Sequence, residues 1–145
     1  MGRILALDVG SKRIGIAVSD EMELTAHGVE IIKREKGNQD IERIKETILK
    51  YSAGLVVVGM PLNMDGTFGK SAEKIAGFLS VLKSELKVPV EVWDERLTTV
   101  SSEKVLIEAG ISRQKRKKTV DMVAATILLQ CFLDHRRMRS GKRQT

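Results

Sequence analysis

The chain has 145 residues, 42% of them apolar, which fits one globular domain and excludes a disordered chain. One cysteine, Cys131, excludes an internal disulfide framework and fits a reducing cytoplasm, and no apolar run reaches the length of a membrane span. The net charge of +6 is uneven, because from Ser112 onward ten Lys or Arg stand against two acids; this basic quarter points to a polyanionic partner such as nucleic acid, or else to a solubilising tail.

The chain opens on a strand pattern rather than a charged region followed by an apolar stretch, so no signal peptide is expected. Arg3–Asp8 and Ile14–Ser19 read as β-strands joined by a turn with Gly10, Lys12 and Arg13, and Gly28–Lys33 reads as a shorter third strand. Gln39–Tyr51 is helical, with Ile41, Ile44, Ile48 and Leu49 at helix spacing and Gly54 in the place of a C-cap glycine. The run Leu55–Gly59 is continuously apolar, as in a strand buried on both faces. Met60 to Lys70 is a loop with Pro61, Asn63, Gly66 and Gly69.

Ser71 is expected to cap the next helix, whose inner face carries Ile75, Phe78, Leu79 and Leu82. Val90–Asp94 is a further strand. A short helix is expected from Thr99 or Ser101 to Gly110, then a basic loop over Ser112–Lys118, then a long apolar helix from Thr119 to about Met138 holding Leu128, Cys131 and Phe132 in the core. One domain over residues 1–138 is expected, with 139–145 as a basic, flexible tail.

The order predicts an α/β fold: a mixed five-stranded sheet, three antiparallel strands followed by parallel ones, with helices on both faces. Ligands of such sheets gather at the carboxyl ends of the parallel strands, where Asp8, Gly59 and Asp94-Glu95 all fall. A buried carboxylate at Asp8 needs a cation, several donors or a metal; the alternative is an Asx-turn bonding the amides of Gly10 and Ser11. In "WDERLTT", Asp94 is placed to cap the following turn while Glu95 reaches the site; the alternative is that Arg96 simply neutralises one of the pair. Asp121 shares a helix face with Ala125 and Leu128; its alternative is a first-turn acid behind a Thr119 cap, favoured by the helix dipole.

Three carboxylates from two strand ends and a helix start can converge on hard divalent cations, Mg²⁺ or Mn²⁺, and two such ions about 3.5–4 Å apart hold both the attacking and the leaving oxygen of a phosphodiester. His27, on a surface loop, and His135, in the cationic tail, are isolated, and no Cys or His cluster points to zinc. The strand next to the first ends in Gly59, and Glu95, two strand spacings of about 4.8 Å away and just past its strand end, can fold back across that gap. Lys12 and Arg13, with Arg96, Arg113, Lys115, Arg116, Lys117 and Lys118, are suited to grip phosphates without reading bases, and five aromatic residues are too few for a stacking platform. Gly59, Asn63, Gly66 and Thr67 line a loop that either approaches a phosphate closely or is an ordinary strand-to-helix connection. "GTFGKS" is not a P-loop, because Met64 stands where its first glycine is required.

Taken together, Asp8-Val9-Gly10 with Arg13-Ile14-Gly15, Val58-Gly59-Met60-Pro61-Leu62 with Gly66, Asp94 to Thr99, and Val120-Asp121 with Ala124-Ala125 resemble the YqgF family, also called RuvX, of the ribonuclease H-like superfamily. The motifs span Arg3 to about Gln130, and their order and spacing are specific although each is modest alone. The resemblance implies a ribonuclease H-like fold, a cytoplasmic location and a metal-dependent nuclease with Asp8, Glu95 and Asp121 as catalytic ligands. The family is associated with 5′-end maturation of the 16S rRNA precursor, and also with resolution of Holliday junctions.

The first expectation is therefore an endonuclease on structured RNA. A resolvase of branched DNA, which needs a dimer for symmetric incision, is the second, so the chain is expected as a monomer or a dimer. A non-catalytic nucleic-acid-binding module is the third. An actin-like or sugar-kinase ATPase would need two such domains, and the chain supplies one. No membrane partner is expected.

Overall fold

The computed structural model describes residues 2–34, 39–61, 65–67, 69–97 and 113–144, with backbone alone at residues 71, 113–121 and 140–144. Five strands form one sheet: β1 (Arg3–Val9), β2 (Arg13–Ser19), β3 (Ala26–Lys33), β4 (Ala53–Met60) and β5 (Val90–Asp94). Their spatial order is β3-β2-β1-β4-β5. The pairs β1–β2 and β2–β3 are antiparallel, and β1–β4 and β4–β5 are parallel. The expected mixed sheet is observed, with β1 at its centre.

Alternation along the strands sorts the core into two layers. Leu5, Leu7, Val56, Val58 and Met60 face one side, where they pack with Ile41 and Ile44 of α1 (Gln39–Tyr51) and Ala72, Ile75, Leu79 and Leu82 of α2 (Lys70–Glu85). Ile4, Ala6, Ala17 and Val57 face the other side, beneath Ala125, Leu128, Leu129, Phe132 and Leu133 of α3 (Arg113–Gln144). Val56, Val57 and Val58 are each fully buried, as an apolar run in a doubly covered parallel strand should be. No helix among the described residues is long and apolar enough to cross a membrane.

Several local expectations are corrected. The basic segment expected as a loop is helical from Arg113 onward, because Arg, Gln and Lys are good helix formers and no Gly or Pro interrupts them. Thr119 therefore lies inside α3 rather than capping it, and Asp121 stands about two turns from its start, past the reach of the dipole. The helix also continues past Met138 to Gln144. Helix α2 begins at Lys70 with Gly69 as its N-cap and no side-chain cap bond, so Ser71 does not cap it.

Gly54 lies within β4, and the left-handed residue that ends α1 is Ser52, at φ 53°. Leu49 is 80% exposed; the inner face takes Thr47 instead, whose hydroxyl donates to the Arg43 carbonyl at 2.8 Å. His27 lies in β3 rather than on a loop, and His135 is edge-on to Trp93, ring centroids 5.5 Å apart. Asn63 and the short helix expected to end at Gly110 lie outside the described residues.

Arg34 ties the upper end of the sheet together. Its backbone N–H donates to the Lys12 carbonyl at 2.8 Å, and its guanidinium donates to the Gly10 carbonyl at 2.9 Å. The same guanidinium pairs with buried Asp40 at 3.5 Å and lies 5.0 Å over the Phe78 ring. One side chain thus holds the β1–β2 turn against α1 and α2. Arg34→Ala removes a charge-assisted bond, and its pairing with Asp40, and is expected to cost about 1.5–3 kcal/mol of stability, measured by urea unfolding. An unchanged unfolding midpoint would remove Arg34 from this role.

Candidate active site

The sheet brings two of the expected acids together. Asp8 is the sixth residue of β1 and lies, by alternation with Ile4 and Ala6, on the α3 side of the sheet. Glu95 opens a single 3₁₀ turn, Glu95–Leu97, directly after β5. Between the two strands runs β4, and the position it offers there is Gly59, paired with Trp93 of β5. Glu95 folds back over this glycine: a Cβ at position 59 would stand 2.6 Å from Glu95 Oε1 and 3.2 Å from its Cδ. That route lets the Glu95 carboxyl hydrogen-bond the Asp8 side chain across the intervening strand.

Both acids are partly buried. Burial pushes the Glu95 carboxyl above the ordinary glutamate range; the bond to Asp8 pulls it down in part, and the Asp94 charge pushes it up. Two carboxyl groups bond each other only when one of them carries a proton. A folded-state pKa raised above the unfolded one means that the folded chain binds this proton more tightly. The stabilising effect is present at acid pH and is lost as pH rises through the folded value. Glu95→Gln keeps the shape and a donor but removes the charge. In EDTA it is expected to raise the melting temperature at pH 8 and to change it least at pH 4.5. Equal destabilisation at both pH values would contradict this.

Asp94 is occupied locally. Its Oδ1 accepts the Arg96 backbone N–H at 3.0 Å, and the Arg96 guanidinium forks onto both oxygens, with Nε at 3.1 and 3.0 Å and a terminal nitrogen at 2.7 Å. The guanidinium holds the Asp94 carboxyl below the usual aspartate range. This clamp turns the chain after β5 and directs Glu95 back across the sheet. It also commits Arg96, expected from sequence as a phosphate contact, to Asp94; the guanidinium lies against Gly66, which adopts φ +87°. Asp65 accepts from the backbone N–H of Thr67 at 3.0 Å and from its hydroxyl at 2.6 Å, so Thr67 closes an Asx-turn in the loop after β4.

Lys12 and Arg13 are exposed on the turn that follows Asp8, closed by a bond from the Gly10 N–H to the Arg13 carbonyl at 2.8 Å. Asp121 lies on α3, four residues before Ala125, which packs on the sheet. Arg113, Lys115, Arg116, Lys117 and Lys118 precede it on the same helix. Among the described residues, no group of three His, Cys, Asp or Glu side chains is placed to hold a metal ion, and the Asp8–Glu95 pair is the convergence that is present. Sequence reasoning anticipated that Glu95 folds back across the strand ending in Gly59; that the missing Cβ there makes the room, and the Arg34 tie, escaped it. A glycine ending a buried strand between two acid-bearing strands was the available signal for the first.

Comparison with known proteins agrees with this fold. The family model RuvX, described as Holliday junction resolvase, matches residues 2–135. A protein of Halothermothrix orenii named "Putative pre-16S rRNA nuclease" is 50% identical over 139 residues, covering 96% of this chain and 99% of its own. A Clostridioides difficile protein of the same name is 53% identical over 133 residues, covering 92% and 94%. Among solved structures, T. thermophilus RuvC in complex with Holliday junction substrate superposes with a TM-score of 0.61 at 17% identity, covering 95% of this chain and 96% of that one. The fowlpox virus Holliday junction resolvase gives 0.54 at 16% identity, covering 92% and 98%. At these identities the two structures share the fold.

Proposed function

The chain belongs to the RuvX family, and on that premise we propose that it is a divalent-metal-dependent endonuclease of the cytoplasm that hydrolyses phosphodiester bonds at the 5′ end of the 16S rRNA precursor. The observation that carries the reading is the meeting of Asp8 and Glu95 across Gly59. Two half-buried carboxyl groups forced into contact are costly without a cation, and their oxygens suit a hard ion such as Mg²⁺ or Mn²⁺. Asp8 and Glu95 would hold it, with Asp121 as the third carboxylate. When bound, a pair of such ions supplies an activated water and neutralises the leaving oxygen.

The remaining work falls to the chain itself. Arg96 fixes Asp94, and through it the turn that aims Glu95. Lys12 and Arg13 on one side, and Arg113, Lys115, Arg116, Lys117 and Lys118 on α3 on the other, draw in the phosphate backbone without reading bases. Gly66 and Thr67 belong to the loop after β4, which in this reading lies beside the substrate phosphate. Gly59 instead serves the site by leaving room for Glu95.

The family's description as Holliday junction resolvase favours a second reading, incision of four-way DNA junctions. That activity needs two sites, hence a dimer. A side-by-side assay with precursor rRNA, single-stranded RNA and a four-way junction, in Mg²⁺ or Mn²⁺, tests both. Preferred cleavage of the rRNA precursor is expected. Paired incision of the junction with no cleavage of RNA would install the second reading, and cleavage of none would overturn both.

A further inference from the structure

Helix α3 is seated on the sheet through positions that lack a Cβ. At Gly28 of β3, an added Cβ would stand 2.6 Å from Met122 Cγ, 2.9 Å from Thr126 Oγ1 and 3.3 Å from Met122 Sδ. Gly28 pairs with Ala17, which is in the layer beneath α3, and Ala17 pairs with Ala6 of β1. Directly opposed residues of antiparallel strands share a face, so these three form a shallow trough across the sheet. A register shift between Ile16 and Ala17 turns β3 at this point. Met122 and Thr126, one turn apart, dip into the trough, and Thr126 is pinned by a bond from its hydroxyl to the Met122 carbonyl at 2.8 Å. On the same face, beyond β1, Leu128 Cδ1 would be 2.5 Å from a Cβ at Gly59.

We propose that Gly28 is a positioning residue for the metal site: it sets how deeply the first half of α3 sits, and so the depth at which position 121 stands over the sheet that carries Asp8. The inference rests on the nuclease reading in which Asp121 is the third carboxylate. Met122 follows Asp121 directly, and a methyl group at position 28 meets it at Cγ, near the backbone, rather than at the tip of the side chain; in this proposal the helix rises to relieve the contact. Gly28 touches neither substrate nor metal and acts through the helix.

The test measures Mn²⁺ binding by electron paramagnetic resonance of the free ion, with thermal unfolding in EDTA alongside, on the full chain. The variants are Asp121→Asn, Gly28→Ala, and Gly28→Ala combined with Met122→Ala and Thr126→Ala, which reopens the trough. Gly28→Ala is expected to weaken Mn²⁺ binding about tenfold, the low end of what displaced supporting groups cost a metal site. The combined variant is expected to return to within about threefold of wild type. Wild-type Mn²⁺ affinity in a folded Gly28→Ala overturns the proposal, even where its melting temperature falls, because packing alone would then be at stake. If Gly28→Ala does not fold, the combined variant decides: binding as weak as that of Asp121→Asn overturns the proposal, and recovered binding supports it. Absence of Mn²⁺ binding by the wild type is a separate outcome that overturns the metal site itself.

Discussion

Asp8→Asn is expected to reduce divalent-dependent cleavage about a thousandfold while leaving the fold and nucleic-acid binding in place. Asn preserves the volume of the side chain and one carbonyl oxygen, but removes the charge that a hard cation requires. Loss of about 4 kcal/mol of transition-state stabilisation corresponds to that factor. Asp8 lies on the central strand with neighbours on both sides, so the backbone around it is held by the β1–β2 and β1–β4 ladders. Lys12 and Arg13, proposed above to grip phosphates, are exposed on the turn and are kept by this substitution. Single-turnover cleavage and an electrophoretic shift assay on the same substrate separate the two effects. Full cleavage by the variant would remove Asp8 from the site, and loss of binding with intact folding would assign it to recognition instead.

Gly59→Ala is expected to lower activity about a hundredfold and stability by about 1–3 kcal/mol. The added methyl would meet Glu95 Oε1 at 2.6 Å and Leu128 Cδ1 at 2.5 Å, both closer than any real contact. Leu128 is nearly fully buried and has nowhere to withdraw, so Glu95 yields, leaving its bond with Asp8. The two consequences are separable by a double-mutant cycle. In a Glu95→Gln background, where the carboxylate is already gone, Gly59→Ala should lower activity little further but still lower the melting temperature. Near wild-type turnover by a folded Gly59→Ala would mean that Glu95 does its work from another place. This variant distinguishes a glycine that makes room for a side chain from one that admits a phosphate, since only the first couples to Glu95.

The legible parts of the fold were those written in short-range patterns. Leu55–Gly59 reads as a doubly covered strand because burial on both faces excludes polar residues from it, and the structure buries Val56, Val57 and Val58 completely. Helix spacing identified Ile41 and Ile44, but the same spacing admitted Leu49, which stands on the solvent side; period alone does not fix where an apolar stripe ends. The start of α3 was misplaced because a run of cations reads as a solvated loop, while the intrinsic preference of Arg, Lys and Gln is helical.

Composition, periodicity and four spaced motifs by themselves determined a mixed α/β sheet, acids at the carboxyl ends of its strands, and a basic quarter suited to a polyanion. The tertiary structure alone decided how those acids meet. Asp8 and Glu95 belong to strands that never pair, and only the missing side chain of Gly59 on the strand between them lets one carboxyl reach the other. It also decided that Arg34, far along the chain, holds the turn beside Asp8. Contacts of this kind depend on strand order and on which face of each strand a side chain takes, and those follow from packing the whole sheet rather than from any local stretch of residues.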